Sequence, residues 1–291
     1  MLKVGVIGIG NMGFGMAARL RSLGWPVAVR DIDAERELAA AALGARLCGT
    51  PAELAAGCDC VIVVVVDAAQ TEQVLFGADG AAAALRPGAS VMLCPTLAPQ
   101  DTERFAAALA QRGIDCIDAP VSGGPARALD GSMSLMLACA DAVYERHREL
   151  IDALSAKVFR IGARPGDGAR TKLVNNLLAV INLAGAAEVM ALAERMGLDL
   201  TRTLDVIEQS SGQSWIAVDR MRRALAGDYA PRARTTILDK DAQLALQMAA
   251  AARFSVPVGQ AAADAFRRAC EAGAGALDDA ALFEVARRRT P

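Results

Sequence analysis

At 291 residues, with a formal net charge of −2 and a pI near 5.6, the chain can hold one large domain or two ordinary ones, and nothing in its charge supports nucleic-acid or polyanion binding. Seven cysteines, an odd number scattered along the sequence, do not suit a secreted disulfide framework. A small molecule is the expected partner.

Cys58 and Cys60 form a CxC pair with no second pair at ligand spacing, so the cysteines read as buried small residues and no metal is expected. The one histidine, His147, sits among Glu145, Arg146, Arg148 and Glu149 and reads as a solvated helix residue, so a catalytic base must be sought elsewhere. The apolar run 61–66 is too short to span a bilayer, and the chain enters its first strand without the pattern of a leader peptide. A cytoplasmic protein with no membrane partner is the expectation, and Arg287-Arg288-Arg289 reads as a solvated tail.

In chain order, residues 4–7 read as a strand, followed at once by Gly8-Ile9-Gly10-Asn11-Met12-Gly13 and a helical segment from Phe14. Strand, tight turn and helix would bring backbone N–H groups and the positive helix end up to a pyrophosphate. A lone glycine pattern also makes ordinary turns, so the flanks decide. Here a second strand, 26–30, ends at Asp31, where a carboxylate meets the adenosine ribose hydroxyls and repels a 2′-phosphate. NAD is the expected cofactor. NADP stays open, because the adjacent Arg30 could turn toward such a phosphate.

Residues 34–43 are helical and stop at Gly44, and 45–48 form a short strand. Thr50, Pro51 and Glu53 occupy the N-cap, N1 and N3 positions of the next helix. The run 61–66 completes a βαβαβ unit, and Val65 and Val66 at its carboxyl end are expected to border the adenosine half of the cofactor. Strands at 90–94, 115–118, 133–138 and 157–161 are mostly separated by helices, including 99–111 and 141–154. This alternation predicts an α/β, doubly wound, largely parallel sheet over residues 1–163. Across 164–291 strand signals nearly vanish. A long helix, 169–196, ends at Gly197 and is apolar on several sides, which suits a neighbouring helix or a partner subunit. Helices at 201–210, 215–225, 236–252 and 257–272 make this second domain all-α.

Three stretches outside the nucleotide motif invite a chemical reading. Asp118-Ala119-Pro120-Val121-Ser122-Gly123-Gly124 follows a strand and presents a hydroxyl and several N–H donors, a cradle for a carboxylate; taken alone, an ordinary turn is as good a reading. Lys172 and Asn176 are four apart and share a face of an otherwise apolar helix, where asparagines are poor helix formers unless their amides have partners. A lysine partly desolvated beside a nicotinamide cation would have its pKa lowered toward neutrality, so Lys172 is the candidate base and Asn176 the group that orients the substrate hydroxyl. Lys240-Asp241, unaided, reads as an exposed helix pair.

Gly8 to Gly13, Asp118 to Gly124, the stretch from Gly168 to Asn176 and Lys240-Asp241 resemble, in order and spacing, the β-hydroxyacid dehydrogenases, which include 3-hydroxyisobutyrate dehydrogenase, tartronate semialdehyde reductase and, more distantly, 6-phosphogluconate dehydrogenase. The resemblance covers essentially the whole chain. It implies a Rossmann-type domain followed by a helical one, Lys172 as the catalytic lysine, and Asn176 as the substrate-orienting asparagine. It further implies Ser122, Gly123 and Gly124 as the carboxylate loop, Thr96 against the nicotinamide end, Lys240 as a lysine reaching the cofactor, and a homodimer or homotetramer built through the long helix.

Two positions depart from the family pattern: Val66 stands where many members have proline, and Ala233 where several have phenylalanine beside the substrate. The stretches 211–215 and 227–232 resemble the subgroup that contains L-threonate dehydrogenase. Ser211, Gln213 and Arg232 would then offer partners to a polyhydroxylated four-carbon acid, a reading evenly matched by a structural helix-loop-helix. Two alternatives remain open: an NADPH-dependent semialdehyde or glyoxylate reductase, and a dinucleotide-binding protein without turnover.

Overall fold

The computed structural model describes residues 1–288, and the chain divides into two compact units, Met1–Lys172 and the residues from Leu173 onward. The first is built on nine strands: β1 (Val4–Ile7), β2 (Val27–Arg30), β3 (Arg46–Leu47), β4 (Cys60–Val63), β5 (Ser90–Leu93), β6 (Asp115–Asp118), β7 (Val121–Ser122), β8 (Ser134–Ala138) and β9 (Lys157–Gly162). Their order across the sheet is β3-β2-β1-β4-β5-β6-β8-β7, with β9 pairing β8. From β3 to β6 every pairing is parallel, as the alternation of strands and helices requires. Beyond β6 the sheet changes character, because β8 runs antiparallel to both β6 and β7. β7 lies between Pro120 and Gly123, inside the stretch expected to be a turn, and was not anticipated as a strand.

Helices cover both faces. On one side Met16, Leu20, Leu150 and Leu154 close over Val6, Val29 and Ile62; on the other Leu54, Leu75, Phe105 and Leu109 close over Ile7, Val61 and Val63. Helix starts follow the expected chemistry. Thr50 caps Pro51–Ala55 by accepting from the Glu53 N–H, and Asp67 caps Ala68–Phe76 by accepting from Gln70.

His147 corrects the sequence reading. It lies in the helix Asp141–Leu154 but is only 1% exposed, with Nδ1 2.9 Å from the Val143 carbonyl, and burial pushes its pKa down. Its charged neighbours in sequence point elsewhere. His147 instead shares the buried face of Val143, Leu150, Ile151 and Leu154.

The second unit is helical, and the long helix Asp167–Arg195 runs into it from the first. Its C-terminus is closed by Gly197 at φ +72, with Gly197 N–H bonded to the Glu194 carbonyl and Leu198 N–H to that of Ala193. By length and composition this helix could cross a membrane. It behaves as a core helix: Val180, Leu183, Ala187 and Met190 pack with Leu204, Met221, Phe266 and Phe283 from the helices that follow. Those are Leu200–Glu208, Trp215–Leu225, Thr235–Ala251, Pro257–Ala269 and Leu282–Arg287. Arg287 ends the last of these helices and, like Arg288, is exposed as expected, with its guanidinium paired with Glu194 and Glu284. Arg289 lies outside the described residues.

Candidate active site

Parallel strands put all their carboxyl ends on one edge of a sheet, and the strand order reverses between β1 and β4, the place where open α/β sheets bind ligands. That edge carries Gly8 to Gly13 after β1, Asp31 after β2, Val65 and Val66 after β4, Thr96 after β5 and Ser122 after β6.

Each glycine of the turn has a separate physical reason. Gly8 has φ +87, and a Cβ there would lie 2.6 Å from the Val64 carbonyl oxygen. A Cβ on Gly13 would fall 1.9 Å from the Gly8 carbonyl oxygen, so this residue sets how closely the helix Asn11–Ser22 approaches β1. A Cβ on Gly10 would meet nothing within 4 Å. The space over Gly10 is where a phosphate can come up to the backbone, at the start of a helix with no acidic residue in its first turn. The cradle therefore fits the pyrophosphate of a dinucleotide.

Asp31 is joined to this turn directly. Its Oδ2 accepts from the Ile9 N–H at 2.5 Å and its Oδ1 from the Asp33 N–H at 3.0 Å, which orients the carboxylate beside the glycines. Arg30, the residue that kept NADP open, is held by Glu37 at 2.8 Å and by the Asp31 carbonyl. Arg36 instead lies over the turn, bonded to Asn11 Oδ1 at 3.0 Å.

Around that cradle, Met12 and Val65 are partly buried, Ile9 is fully buried and Val66 is half exposed with its N–H on Gln70 Oε1. Thr96 is partly buried in the loop after β5. Ser122 lies in β7, opposite Ser134 of β8, and Gly123 and Gly124 follow at φ +132 and +78. Gly123 is the N-cap of the helix Gly124–Asp130, so the serine and the two glycines form one strand-to-helix turn.

Lys172 lies in the second turn of the long helix and is 8% exposed, far from the solvated charge a surface lysine presents. The amides of the adjacent asparagines have the partners that their place in an apolar helix demands. Asn176, also 8% exposed, donates from Nδ2 to Asp241 Oδ2 at 2.6 Å and accepts from Asn175 Nδ2 at 3.1 Å. The other oxygen of Asp241 accepts from Lys240 Nζ at 2.7 Å. Asp241 is 2% exposed, so Lys240-Asp241 is no exposed pair, and one buried carboxylate links two residues that the sequence reading had singled out separately. The sequence reading gave Asp241 no role of its own.

Ser211, Gln213 and Arg232 are less clearly drawn together. Ser211 and Gln213 are exposed between the helices Leu200–Glu208 and Trp215–Leu225. The Arg232 guanidinium is taken up by Asp228 at 2.8 Å, while its N–H and that of Ala233 donate to Asp278.

Residues 3–162 match the family described as the NAD binding domain of 6-phosphogluconate dehydrogenase, and residues 166–286 that described as the NAD-binding domain of NADP-dependent 3-hydroxyisobutyrate dehydrogenase. The chain is 42% identical to an L-threonate dehydrogenase of Cupriavidus necator over 97% of its own length and 95% of the relative's. Among solved structures, a 3-hydroxyisobutyrate dehydrogenase from Salmonella typhimurium gives a TM-score of 0.92 at 36% identity, covering 98% of this chain and 100% of that one. A structure of Psf3 with NADP+ and 2-OPP gives 0.90 at 30% identity, with 97% and 99% covered.

Proposed function

Since this chain belongs to the β-hydroxyacid dehydrogenase family and is an NAD(P)-dependent hydroxy acid dehydrogenase, we propose that its reaction is the NAD-linked oxidation of a four-carbon sugar acid such as L-threonate, with Lys172 as the base. The observation that carries the choice of cofactor is the Asp31 carboxylate fastened to the Ile9 N–H, beside the open face of Gly10. The choice of acid is supported by whole-length likeness to L-threonate dehydrogenase.

A dinucleotide bound over the glycine turn would supply the hydride acceptor; Val65 and Val66 would hold its adenosine half and Thr96 and Lys240 its nicotinamide end. Ser122 Oγ and the N–H groups of Gly123 and Gly124 receive the substrate carboxylate. Asn176 donates a hydrogen bond to the substrate hydroxyl, and Lys172 Nζ takes the hydroxyl proton as the carbon beneath it is oxidised. Both side chains are largely shielded from water, which strengthens each hydrogen bond made to the substrate. Arg232, now paired with Asp228, would have to exchange that partner for a substrate hydroxyl.

Lys172→Ala tests the assignment. Turnover of L-threonate should fall by about 10³-fold with NAD affinity nearly unchanged, and near-normal kcat would reject the lysine as base. A panel of L-threonate, 3-hydroxyisobutyrate and L-serine with NAD, followed by nicotinamide absorbance, tests the substrate. Tight NAD binding without oxidation of any acid in a broad panel would favour the non-catalytic reading.

One observation favours a second reading, an NADPH-dependent semialdehyde or glyoxylate reductase. Arg36 stands beside the glycine turn, where a 2′-phosphate would find a cation. A clear preference for NADPH over NADH in the reductive direction would overturn the NAD assignment and favour that alternative.

A further inference from the structure

Asp118 has no part in the reading above, yet it is 2% exposed and bonded to two backbone amides of another element. It closes β6, and its Oδ2 accepts from the Gly166 N–H at 2.7 Å and the Ala169 N–H at 3.2 Å. These amides open the long helix Asp167–Arg195. A helix begins with N–H groups that have no intrahelical partner, and a nearby serine or aspartate usually satisfies them. Here the acceptor comes from about 50 residues earlier in the chain, so the bond fixes two elements to each other. Gly168 makes room for it: a Cβ there would lie 2.7 Å from the Met136 carbonyl oxygen and 3.0 Å from Asp118 Oδ1.

Lys172 follows Ala169 by three residues, within one turn of the anchored amides, and Ser122 follows Asp118 by four. We infer that Asp118 is a positioning residue: by holding the first turn of the long helix against the end of β6, it fixes Lys172 relative to the Ser122-Gly123-Gly124 turn that follows β6 through the short strand β7. The inference rests on the proposed roles of Lys172 and of that turn.

The chemistry of the contact supports a restraint stronger than an ordinary cap. Burial outweighs the downward pull of the amides of Gly166, Ala169 and Gly168 and leaves the Asp118 carboxyl raised to about 6. In its charged form the carboxylate accepts two N–H bonds at the positive end of a helix, and such charge-assisted bonds are roughly twice as strong as neutral ones. Asp167 opposes its charge from the next position, but it is engaged by Arg164 and Arg170.

Steady-state kinetics with L-threonate and NAD, or with 3-hydroxyisobutyrate if the panel favours it, test the inference in Asp118→Asn and Asp118→Ala. Asparagine keeps one acceptor oxygen and should lose about 3- to 10-fold in kcat, whereas alanine keeps none and should lose on the order of 100-fold, the effect of a misplacement near 1 Å. KM for NAD should stay within about twofold in both, since the glycine turn and Asp31 are untouched. If Asp118→Ala does not fold, Asp118→Ser, whose hydroxyl is too short to reach both amides, takes its place with the same expected loss. Variants with wild-type kcat, whatever their Tm, would leave Asp118 a purely structural residue. Loss of turnover in Lys172→Ala alongside fully active Asp118 variants overturns only the anchor; an active Lys172→Ala overturns the lysine reading itself.

Discussion

The glycine turn of the first unit and the Asn176, Asp241, Lys240 group of the second are both candidate sites, but they are built from different materials. The first is six consecutive residues and one carboxylate, and nearly everything it offers is backbone. The second is a set of side chains in which Asn176 and Asp241, 65 residues apart, come together only when helices pack. A site made of backbone geometry tolerates change by size and φ. One made of packed polar side chains tolerates change by whether each buried donor keeps an acceptor.

The difference sets the order of expected effects. Gly13→Ala should be the most damaging, because a Cβ placed 1.9 Å from the Gly8 carbonyl forces the helix off the strand. A loss of about 3 kcal/mol is expected, read as a Tm decrease of roughly 6–12 °C. Gly10→Ala, with nothing within 4 Å of its Cβ, should instead leave Tm unchanged and raise KM for NAD by about 10-fold. If both variants behave alike, the three glycines do not have the separate duties assigned to them.

Asp241→Ala should come next, on the other side of the comparison. It strips a buried amide and an ammonium of their shared acceptor, for about 2 kcal/mol of stability, and kcat should fall by more than KM for NAD rises. Equal stability in Asp241→Ala and wild type, measured by denaturant titration, would show that the network is incidental. If Asp31 takes the ribose as proposed, Asp31→Ser should raise KM for NAD by about 10-fold and bring NADP within reach through Arg36. Unaltered discrimination between the two cofactors would place selectivity elsewhere.

The smallest effect concerns pH. The folded-state pKa of His147 is depressed by burial, so the unfolded chain binds its proton more readily. The stability that neutral His147 contributes is complete above its unfolded value near 6.5 and is lost as pH falls through the lower, folded one. Thermal melts between pH 7.5 and pH 5 should show wild type losing more than His147→Leu. Parallel curves would indicate that the ring is solvated after all.

His147 also shows how a legible signal can be misread. The sequence around it is charged, yet Val143, His147, Leu150, Ile151 and Leu154 recur at helical spacing, and phase rather than neighbourhood decides burial. The same arithmetic places Asp241 in the stripe of Leu238, Ala242 and Ala245. β7, by contrast, carried no signal in its two residues and exists because β8 offers it a ladder.

Read along the chain, the order of strands, turns and helices follows from apolar period, glycine and capping residues, since these act over a few neighbouring positions. The bond between Asp31 and Ile9, the hold of Asp118 on a helix that starts about 50 residues later, and the meeting of Asn176 with Asp241 were decided by the tertiary structure alone. A buried polar side chain takes whichever partner packing brings within hydrogen-bond reach, and separation along the chain does not say which one that will be.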